Sequence, residues 1–312
     1  MFTSADIAVV VPTKDRPGKL RALLESLAAQ TERPGRVLVV DGGKSVRDTT
    51  LAFLPGLAVE HHPCLPPGQL RQRRHGLTQL DAGTRLVCLL DDDMVLEPEA
   101  LAHALAFLNG PGQDAAGVGL NLVNEPALAH SRLTGLLLLS GPEPGRVLPS
   151  GRNTSICNVT QDIRTEWLGG GYTIWRQGIL LANPQEDIRT RWAIGEDLRF
   201  SYPLGKRHAL HVCAAARARH EHVQDQAPPL QVHAYRARKE ALALFYFASA
   251  HPELSRLASL WAILGGAALW ALAGLKHGKP ELLRAARGRF GALGVCLGAL
   301  TTGGSVRREL ED

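Results

Sequence analysis

The stretch from Arg85 to Leu101 reads RLVCLLDDDMVLEPEAL, and in it three aspartates, Asp91, Asp92 and Asp93, directly follow an apolar run. The apolar run is typical of a buried strand, whereas adjacent carboxylates repel one another and have raised pKa values unless a cation compensates them. The aspartates are therefore either a solvated turn or a site at which something positive binds. The pattern of the surrounding sequence favours the second interpretation.

Apolar strands alternate with amphipathic helices through the first part of the chain. Strands are predicted in DIAVVVPT, GRVLVVDGG and TRLVCLLDDD and near residues 57–61. Helices are predicted in PGKLRALLESLAAQ, around residues 49–53, in PPGQLRQRRHGLTQLDAG and in EPEALAHALAFLN. This alternation indicates βαβ units. We therefore expect an α/β fold with a Rossmann-like, mostly parallel sheet and flanking helices.

Polar residues stand where three of these strands end. Pro12-Thr13, Asp41 and the aspartate triplet follow the first, second and fourth strands. Ligands of open α/β sheets bind beyond the carboxyl ends of the strands, so we expect these residues to converge although they are far apart in sequence. Mg²⁺ and Mn²⁺ prefer oxygen ligands and commonly bind through one or two carboxylates and substrate phosphates. The sequence thus favours a metal–diphosphate site.

The later part of the chain carries further polar motifs. The run TEWLGGGYTIWRQGIL predicts two strands joined by a triple-glycine turn, and IGEDLRFSYPLG predicts a helix that carries Glu196 and Asp197. The run HALHVCAAARARHEHV predicts a strand that leads to His220 and His222. Acidic residues are also favoured in the first turn of a helix by its dipole, so the acidic pair alone does not establish a catalytic base.

Composition restricts the class of protein. The 312 residues carry a formal net charge of +5 with a pI of about 9.1, which favours anionic partners such as nucleotides, phosphates or anionic lipid. Five scattered cysteines without a CxxC pair are typical of reduced thiols in a cytosolic compartment. The N-terminus has no basic region before its short apolar run, so no signal peptide is predicted.

Six motifs in order resemble one enzyme family. The series VVVPTKDRPGKL, VLVVDGG, an arginine-bearing helix, LVCLLDDDMVLEPEAL, WLGGGYTIWRQ and GEDLRF is similar to the inverting family 2 glycosyltransferases with a GT-A fold, over about residues 5–240. The resemblance implies transfer of a sugar from a nucleotide-diphospho-sugar to a hydroxyl of a glycan or lipid-linked acceptor, with Mn²⁺ or Mg²⁺ as cofactor. The QxxRW motif of processive members does not follow the acidic pair, and Arg191-Trp192 precedes it. A non-processive enzyme of cell-surface or exopolysaccharide assembly is therefore expected.

The resemblance also implies which residues bind the donor. They lie after the early strands and on the arginine-bearing helix: Pro12, Thr13, Asp15, Arg16, Asp41, Arg73, Asp91 and Asp92. The sequence DGGK after the second strand departs from the two acidic residues and serine that the family often shows, which leaves the nucleobase open. Arg71 and Arg74 are alternatives to Arg73, and each of the three arginines could instead belong to a solvated helix face.

The same resemblance implies which residues bind the metal and the acceptor and which residue acts as the general base. The implied metal ligands are Asp93, Asp91 and His220, with His222 as the alternative histidine. The implied acceptor-binding residues are the glycines Gly169, Gly170 and Gly171, which would let the acceptor approach the backbone closely. Asp197 would act as the general base, with Glu196 beside it in the catalytic pair.

The composition changes after about residue 245. Residues 257–275 are uncharged over the borderline length of a membrane span, residues 290–304 form a shorter apolar stretch, and the segment between them is basic. Basic loops prefer the cytoplasmic side. We expect a catalytic domain over residues 1–245 and a C-terminal helical segment over 246–312, attached to the cytoplasmic face of the inner membrane. A buried helical pair that completes the domain is the alternative.

Two other classes compete with this interpretation. A nucleotidyltransferase for sugar phosphates shares the βα layout and an acidic metal site, but it would normally carry a glycine-rich phosphate loop after the first strand, and VPTKDRPGKL is not such a loop. A nucleic-acid-binding protein would explain the positive charge and the stretch RQRR. The strand-end aspartates would repel its phosphates unless a metal intervenes, so no nucleic-acid partner is expected.

Overall fold

A computed structural model describes residues 1–44, 56–126, 130–188, 193–221 and 229–311. The helix expected around residues 49–53, as well as Arg191-Trp192 and His222, lies outside the described residues. The chain forms two compact units. The first comprises Met1–Ala127, Ile156–Glu186 and Phe200–Val223, and the second comprises Leu128–Ser155, Asp187–Arg199 and Gln224–Asp312.

The first unit contains a mixed sheet, which within the described residues has nine strands. Their bounds are β1 (Ile7–Thr13), β2 (Arg36–Asp41), β3 (Val59–Pro63), β4 (Leu86–Leu90), β5 (Met94–Leu96), β6 (Ala115–Leu122), β7 (Ile163–Thr165), β8 (Tyr172–Arg176) and β9 (Ala209–His220). The strand order is β3-β2-β1-β4-β8-β6-β9-β5, and β7 pairs with β9.

Parallel pairing joins the early strands, as the sequence predicted. Strands β3, β2, β1 and β4 run parallel to one another, and β6 runs parallel to β9. Strand β8 is antiparallel to both β4 and β6, and the short strands β5 and β7 are antiparallel to β9. The α/β fold with a central, mostly parallel sheet is thereby confirmed.

Helices flank this sheet. Those of the first unit are α1 (Pro17–Ala28), α2 (Gln69–Leu77), α3 (Ala100–Asn109) and α5 (Gln177–Ala182). Helix α1 begins with a proline, which is tolerated in the first turn of a helix. Its leucines recur at helical spacing and share one face: Leu20, Leu23, Leu24 and Leu27. This face is buried against the sheet. Helix α6 (Glu196–Gly205) begins in the second unit and ends in the first.

The two faces of the sheet are packed in separate apolar clusters. Ile7, Val9 and Val11 of β1 join the cluster that contains the buried residues of α1 and α3, whereas Val10 joins the cluster on the other face. Alternate residues of a strand point to opposite faces, so a strand that is covered on both sides is apolar throughout. This covering explains why β1, β2 and β4 read as continuous apolar runs.

The second unit contains mainly helices. They are α4 (Arg132–Leu136), α7 (Leu230–Ala250), α8 (Arg256–His277), α9 (Pro280–Thr302) and α10 (Arg307–Leu310). Their apolar core includes Leu242, Phe245, Ile263 and Cys296. Helix α9 begins ten residues before the apolar stretch expected at 290–304. Among the described helices, α8 alone is long and apolar enough to cross a membrane by length and composition.

Candidate active site

Polar residues gather at the carboxyl ends of β1, β2 and β4. Thr13 ends β1 and lies opposite Asp41, which ends β2. The aspartate triplet follows β4, and β4 pairs with β1 on the side of β1 that faces away from β2. Parallel neighbouring strands therefore bring together three segments that are far apart in sequence, as expected. Each aspartate of the triplet has different partners.

Asp92 is the most enclosed of the three. It is 4% exposed, and its carboxylate accepts a hydrogen bond from Thr13 Oγ1 at 2.7 Å and one from Arg16 Nη1 at 3.2 Å. Burial raises the pKa of Asp92 even though both partners favour its charged form. Asp92 therefore connects the ends of β1 and β4, and it positions Thr13 and Arg16 beside its neighbours.

Asp91 faces the helix that follows β3. Its Oδ1 atom accepts hydrogen bonds from Arg73 Nη2 at 2.8 Å and from Gln69 Nε2 at 2.9 Å. Arg73 is only 2% exposed, so it is not part of a solvated helix face. Arg71 and Arg74 are oriented differently, because they donate to the backbone carbonyls of Pro66 and Gln185. Arg73, the first choice among the three arginines, is the one beside the aspartates.

The glycine turn before β8 makes room for Asp91. The Asp91 amide donates to the carbonyl of Gly171 at 2.9 Å, and a Cβ atom at residue 171 would lie 2.0 Å from Asp91 Oδ2. Any side chain at this position would displace the carboxylate. Gly169 similarly packs against the ring of Tyr172, and all three glycines are buried. The turn therefore supports the aspartate site directly.

Asp93 pairs with His220 at the end of β9. The distance from Asp93 Oδ1 to His220 Nε2 is 3.4 Å, and Arg16 Nη1 lies 3.4 Å from Asp93 Oδ2. Burial opposes ionisation of Asp93, but the hydrogen bond and charge of His220, together with Arg16, outweigh it and lower the pKa of Asp93. Strand β5 causes this pairing, because Met94 lies opposite His220 in the β5–β9 ladder.

His220 is held by two further residues that sequence reasoning missed. Glu125 Oε1 lies 2.8 Å from His220 Nδ1, and Asn124 forms hydrogen bonds of 2.9 Å with both backbone groups of His220. The hydrogen bond to Asp93 and the partnership with Glu125 raise the pKa of His220 to about 9, although burial opposes this. Glu125 and Asn124 lie beyond β6 in a stretch without a recognisable motif, so only the fold reveals them.

The Asp93–His220 pair has the chemistry of a site for a hard divalent cation. The raised pKa keeps both ring nitrogens of His220 protonated at neutral pH, so a cation would have to displace the Nε2 proton. Glu125 would then still accept the Nδ1 proton, which leaves Nε2 directed at Asp93 as a potential ligand. No preformed group of three or more metal-ligating side chains occurs in the part of the chain that the structure describes. Mg²⁺ and Mn²⁺ commonly take few protein ligands and complete their shell with water and substrate phosphates. The donor set therefore fits such an ion.

Asp41 already has partners for both of its carboxylate oxygens. Oδ1 accepts a hydrogen bond from the Gly43 amide at 2.7 Å, and Oδ2 lies 3.2 Å from His61 Nε2. Asp15 lies nearby with a left-handed backbone (φ 53°) and accepts from the Lys44 amide at 3.1 Å. The DGGK sequence thus forms a turn that closes over Asp41 and contacts the loop after β1.

Gln69 and Gln72 of α2 are further residues that sequence reasoning missed. Gln69 donates to Asp91, and Gln72 Nε2 donates to the carbonyls of Thr13 and Val40 at 2.7 Å each, which joins β1 to β2. Their spacing from Arg73 places all three on the face of α2 that is directed at the strand ends. The stretch QLRQRR has the i, i+3, i+4 spacing that predicts this shared face, although its positive charge favours an interpretation from the arginines alone.

Glu196 and Asp197 occupy the first turn of α6, as predicted from IGEDLRF. Glu196 is 7% exposed, whereas Asp197 is partly exposed. Both belong to the second unit, while the strand-end aspartates belong to the first. The pairing of a buried and an accessible carboxylate suits a base at residue 197 with a structural neighbour at residue 196.

Comparison with known proteins agrees with this fold. A family model described as "Glycosyltransferase like family 2" matches residues 5–241. The mannosyltransferase PcManGT from Pyrobaculum calidifontis, solved in complex with GDP-Man and Mn²⁺, has a TM-score of 0.57 and 15% sequence identity over 94% of this chain and 86% of that chain. S. aureus TarS 1–349 has a TM-score of 0.54 and 14% identity over 95% of this chain and 91% of that chain. A search of curated proteins found no match.

The fold and the matched family model together define a class: the protein is a glycosyltransferase with a GT-A fold. The chain belongs to glycosyltransferase family 2, because the family model covers most of its length. The expectation drawn from the six ordered motifs is confirmed. At sequence identities this low, the solved structures show that the fold is shared and show nothing about individual residues or substrates.

Proposed function

We propose that the protein transfers a sugar, with inversion, from a nucleotide-diphospho-sugar to a hydroxyl of a glycan or lipid-linked acceptor. The observation that carries this proposal is the division of the aspartate triplet between an arginine and a histidine. Asp91 is bonded to Arg73 at 2.8 Å, and Asp93 lies 3.4 Å from His220. A site that combines cations with a potential metal-ligating pair suits the diphosphate of such a donor.

The donor-binding role falls to the residues at the ends of β1, β2 and β4. Arg16 and Arg73 provide positive charge on either side of the triplet, and Thr13 is held by Asp92. Pro12 ends the apolar run of β1 and Asp41 ends β2, where the nucleobase and the ribose of the donor would lie. Because Asp41 already contacts Gly43 and His61, we propose that it shapes the nucleobase pocket as well as accepting a hydrogen bond from the base.

Asp93 and His220 would hold the divalent cation, with Asp91 as a third candidate ligand. When bound, Mg²⁺ or Mn²⁺ supplies positive charge to the departing nucleoside diphosphate. PcManGT was solved with Mn²⁺ and GDP-Man, and a shared fold supports, for this chain, the same class of cofactor and donor. Arg16 and Arg73 would stabilise the same leaving group through hydrogen bonds.

Asp197 would accept the proton of the acceptor hydroxyl. The oxygen of that hydroxyl forms a bond to the anomeric carbon as the bond from this carbon to the donor phosphate breaks, and the electron pair leaves with the nucleoside diphosphate. Attack from the face opposite the leaving group inverts the anomeric configuration. Glu196, the neighbour of Asp197 in sequence, is buried. The glycines before β8 carry no side chain, so we propose that they border the acceptor pocket with their backbone while Gly171 leaves room for Asp91.

A membrane-facing role for α8 would bring the enzyme to a lipid-linked acceptor. Leu257, Trp261, Leu264, Leu272 and Leu275 recur three, four or eight residues apart and are 42–72% exposed, so they form one apolar stripe along the helix. Basic residues follow this stripe: Lys276, Lys279, Arg284 and Arg287. Apolar burial and attraction to anionic lipid act together in such helices. We propose that the enzyme acts at the cytoplasmic face of the inner membrane, in the non-processive assembly of cell-surface or exported glycans.

The substitution Asp197→Asn tests the proposal. It keeps the shape of the side chain and removes its basicity, so we expect transfer to fall at least about 100-fold, within the range of general-base contributions. Binding of the nucleotide-sugar with Mn²⁺, measured by calorimetry after a screen of donors, should remain within about twofold of the unaltered protein. Full transfer activity in this variant would refute the base assignment.

The matched control is Asp187→Asn, which changes a carboxylate elsewhere in the second unit. It should leave both transfer and donor binding unchanged. If no nucleotide-sugar binds or is hydrolysed in the presence of Mn²⁺ or Mg²⁺, the proposed reaction itself is wrong.

A further inference from the structure

Two arginines of the second unit are shielded from solvent, Arg289 as a buried residue and Arg152 as a half-buried one. Arg289, on α9, is 5% exposed, and Arg152 lies in the segment before Ser155 with its Nε atom inaccessible to solvent. Among the described residues, neither Nε atom has a hydrogen-bond partner. A guanidinium that is removed from water without a partner is strongly unfavourable, so buried arginines are normally paired with an anion.

The surrounding residues provide little negative charge. Glu240 of α7 approaches Arg289 Nη2 only to 3.9 Å, a distance too long for a hydrogen bond. Its other oxygen accepts a hydrogen bond from Arg236 Nε at 3.0 Å. Within the described ranges, no carboxylate lies within ion-pair distance of Arg152. Glu240 therefore pairs with the exposed Arg236 at short range and is only a distant partner of Arg289.

Helix α8 holds the Arg289 guanidinium in a defined position. Its Cζ atom lies 3.8 Å from the centroid of the Trp270 ring, so one face of the guanidinium is stacked. A Cβ atom at Gly266 would lie 2.2 Å from Arg289 Nη1, so only glycine leaves space for the group there. Stacking uses the face of the guanidinium and leaves the N–H groups in its plane available for an acceptor.

The charge of the two arginines is only weakly compensated in the protein alone, because Glu240 is the carboxylate near them and it is 3.9 Å from Arg289. Burial, together with the nearby charge of Arg152, lowers the pKa of Arg289 to about 10, and burial also lowers the pKa of Arg152. Arg289 therefore remains cationic at neutral pH. Since folding depresses the pKa of Arg289, its ionisation opposes folding at every pH below about 10. A bound anion would remove this cost.

We propose that Arg152 and Arg289 form a binding site for a phosphate group, in addition to the donor site of the transfer reaction. A guanidinium fork matches the geometry of phosphate oxygens, and two cations match its charge better than that of a single carboxylate. The phosphate can belong to a free solute or to the head group of a phospholipid. The apolar stripe of α8, which belongs to the same unit, makes a head group a suitable source.

The test measures thermal unfolding of the 312-residue chain with inorganic phosphate at constant ionic strength, without added metal. The melting temperature of the unaltered protein should rise with the phosphate concentration, whereas the melting temperatures of Arg289→Met and Arg152→Met should rise much less. In phosphate-free buffer Arg289→Met should be at least as stable as the unaltered protein, because it removes a buried charge that Glu240 compensates only weakly. The matched control is Arg308→Met, an exposed arginine on α10 of the same unit, which should keep the phosphate response.

A purely structural arginine would give the opposite pattern. Arg289→Met would then lose melting temperature, and its response to phosphate would equal that of the unaltered protein. Either result overturns the proposal. A second variant, Glu240→Gln, removes the competing carboxylate, so it should bind phosphate several-fold more tightly; unchanged or weaker binding would also contradict the site.

Vesicles distinguish the two sources of phosphate. If a head group is the ligand, association with phosphatidylglycerol vesicles should fall in Arg289→Met, and inorganic phosphate should compete with the vesicles for the unaltered protein. If a free solute is the ligand, vesicle association should equal that of the unaltered protein while the response to inorganic phosphate is lost. Both outcomes support the site and assign its ligand.

Discussion

The three adjacent aspartates have separate tasks because each is bound to a different part of the chain. Asp91 bonds to α2, Asp92 bonds to the end of β1, and Asp93 pairs with the end of β9. Burial raises the pKa of Asp92 against the effect of its partners, whereas His220 and Arg16 outweigh burial and lower the pKa of Asp93. Chemically identical neighbours can therefore be distinguished by substitution.

Asp92→Asn and Asp93→Asn should behave differently. An asparagine oxygen at residue 92 can still accept the hydrogen bond from Thr13, and removal of a buried charge offsets the weakened bond to Arg16, so we expect stability to stay within about 1 kcal/mol. The response to Mn²⁺ should be retained. Asp93→Asn removes a proposed metal ligand, so the Mn²⁺-induced rise in melting temperature should be lost. Each variant is the isosteric control for the other. An equal response to Mn²⁺ in both would show that Asp93 is not a ligand.

Gly171→Ala should disable the site through Asp91. The added Cβ atom would lie 2.0 Å from Asp91 Oδ2, so the carboxylate must move away from Arg73. We expect donor affinity, measured by calorimetry, to fall at least about tenfold. Gly178→Ala is the control, because no atom lies within 4 Å of its added Cβ. It should raise stability slightly, by up to about 1 kcal/mol, since alanine is the better helix former. Normal donor affinity in Gly171→Ala would contradict the packing argument.

Sequence reasoning found the residues that terminate strands and missed those that act across the fold. A strand end is visible in one segment, so Thr13, Asp41 and the triplet could be predicted from the parallel-sheet rule. Glu125 and Asn124 reach the site only because β6 and β9 are neighbours, and that pairing is a property of the tertiary structure. Nothing in the local sequence around Glu125 indicates a partner so distant.

Among elements, the short strand β5 was not predicted, although it assembles the Asp93–His220 pair. Its three residues are too few for a periodic pattern, and its pairing with β9 depends on where that strand runs. Longer elements were predictable because their apolar residues recur over several turns or along a whole strand. The domain boundary expected at residue 245 stays a prediction.

The membrane-facing role of the apolar stripe of α8 can be tested by substitutions on this helix alone. Replacing Leu264 and Leu272, which are 42% and 64% exposed, by glutamine should reduce association with anionic vesicles at least about tenfold, as measured by sedimentation. Because both side chains are exposed, stability should change little. The control is Leu181→Gln, an equally exposed leucine of the first unit, which should bind vesicles normally. A stripe variant that still binds vesicles fully would show that α8 does not face the membrane.

At the scale of the whole molecule, the two units should respond to different ligands. Donor with Mn²⁺ binds the proposed site in the first unit, so amide exchange should slow at the carboxyl ends of β1 and β4. Phosphate binds the proposed arginine site in the second unit, so exchange should slow in α9. At a ligand concentration of 100 times Kd, the bound state gains about 2.7 kcal/mol, which is ample for detection. Protection by phosphate alone at β4 instead of α9 would contradict the second site.

The two halves of the active site differ in how far apart in the chain their partners are, and this difference has a consequence for the order of folding. Arg73 and Asp91 are separated by 18 residues, whereas Glu125 and His220 are separated by 95. Contacts between distant segments form against a larger loop-closure entropy. The arginine side should therefore exist in partly folded chains before the histidine side. In pulsed hydrogen exchange during refolding, the amides of β4 should become protected before those of β9, and the ability to bind a metal should be the last property that the refolding enzyme acquires.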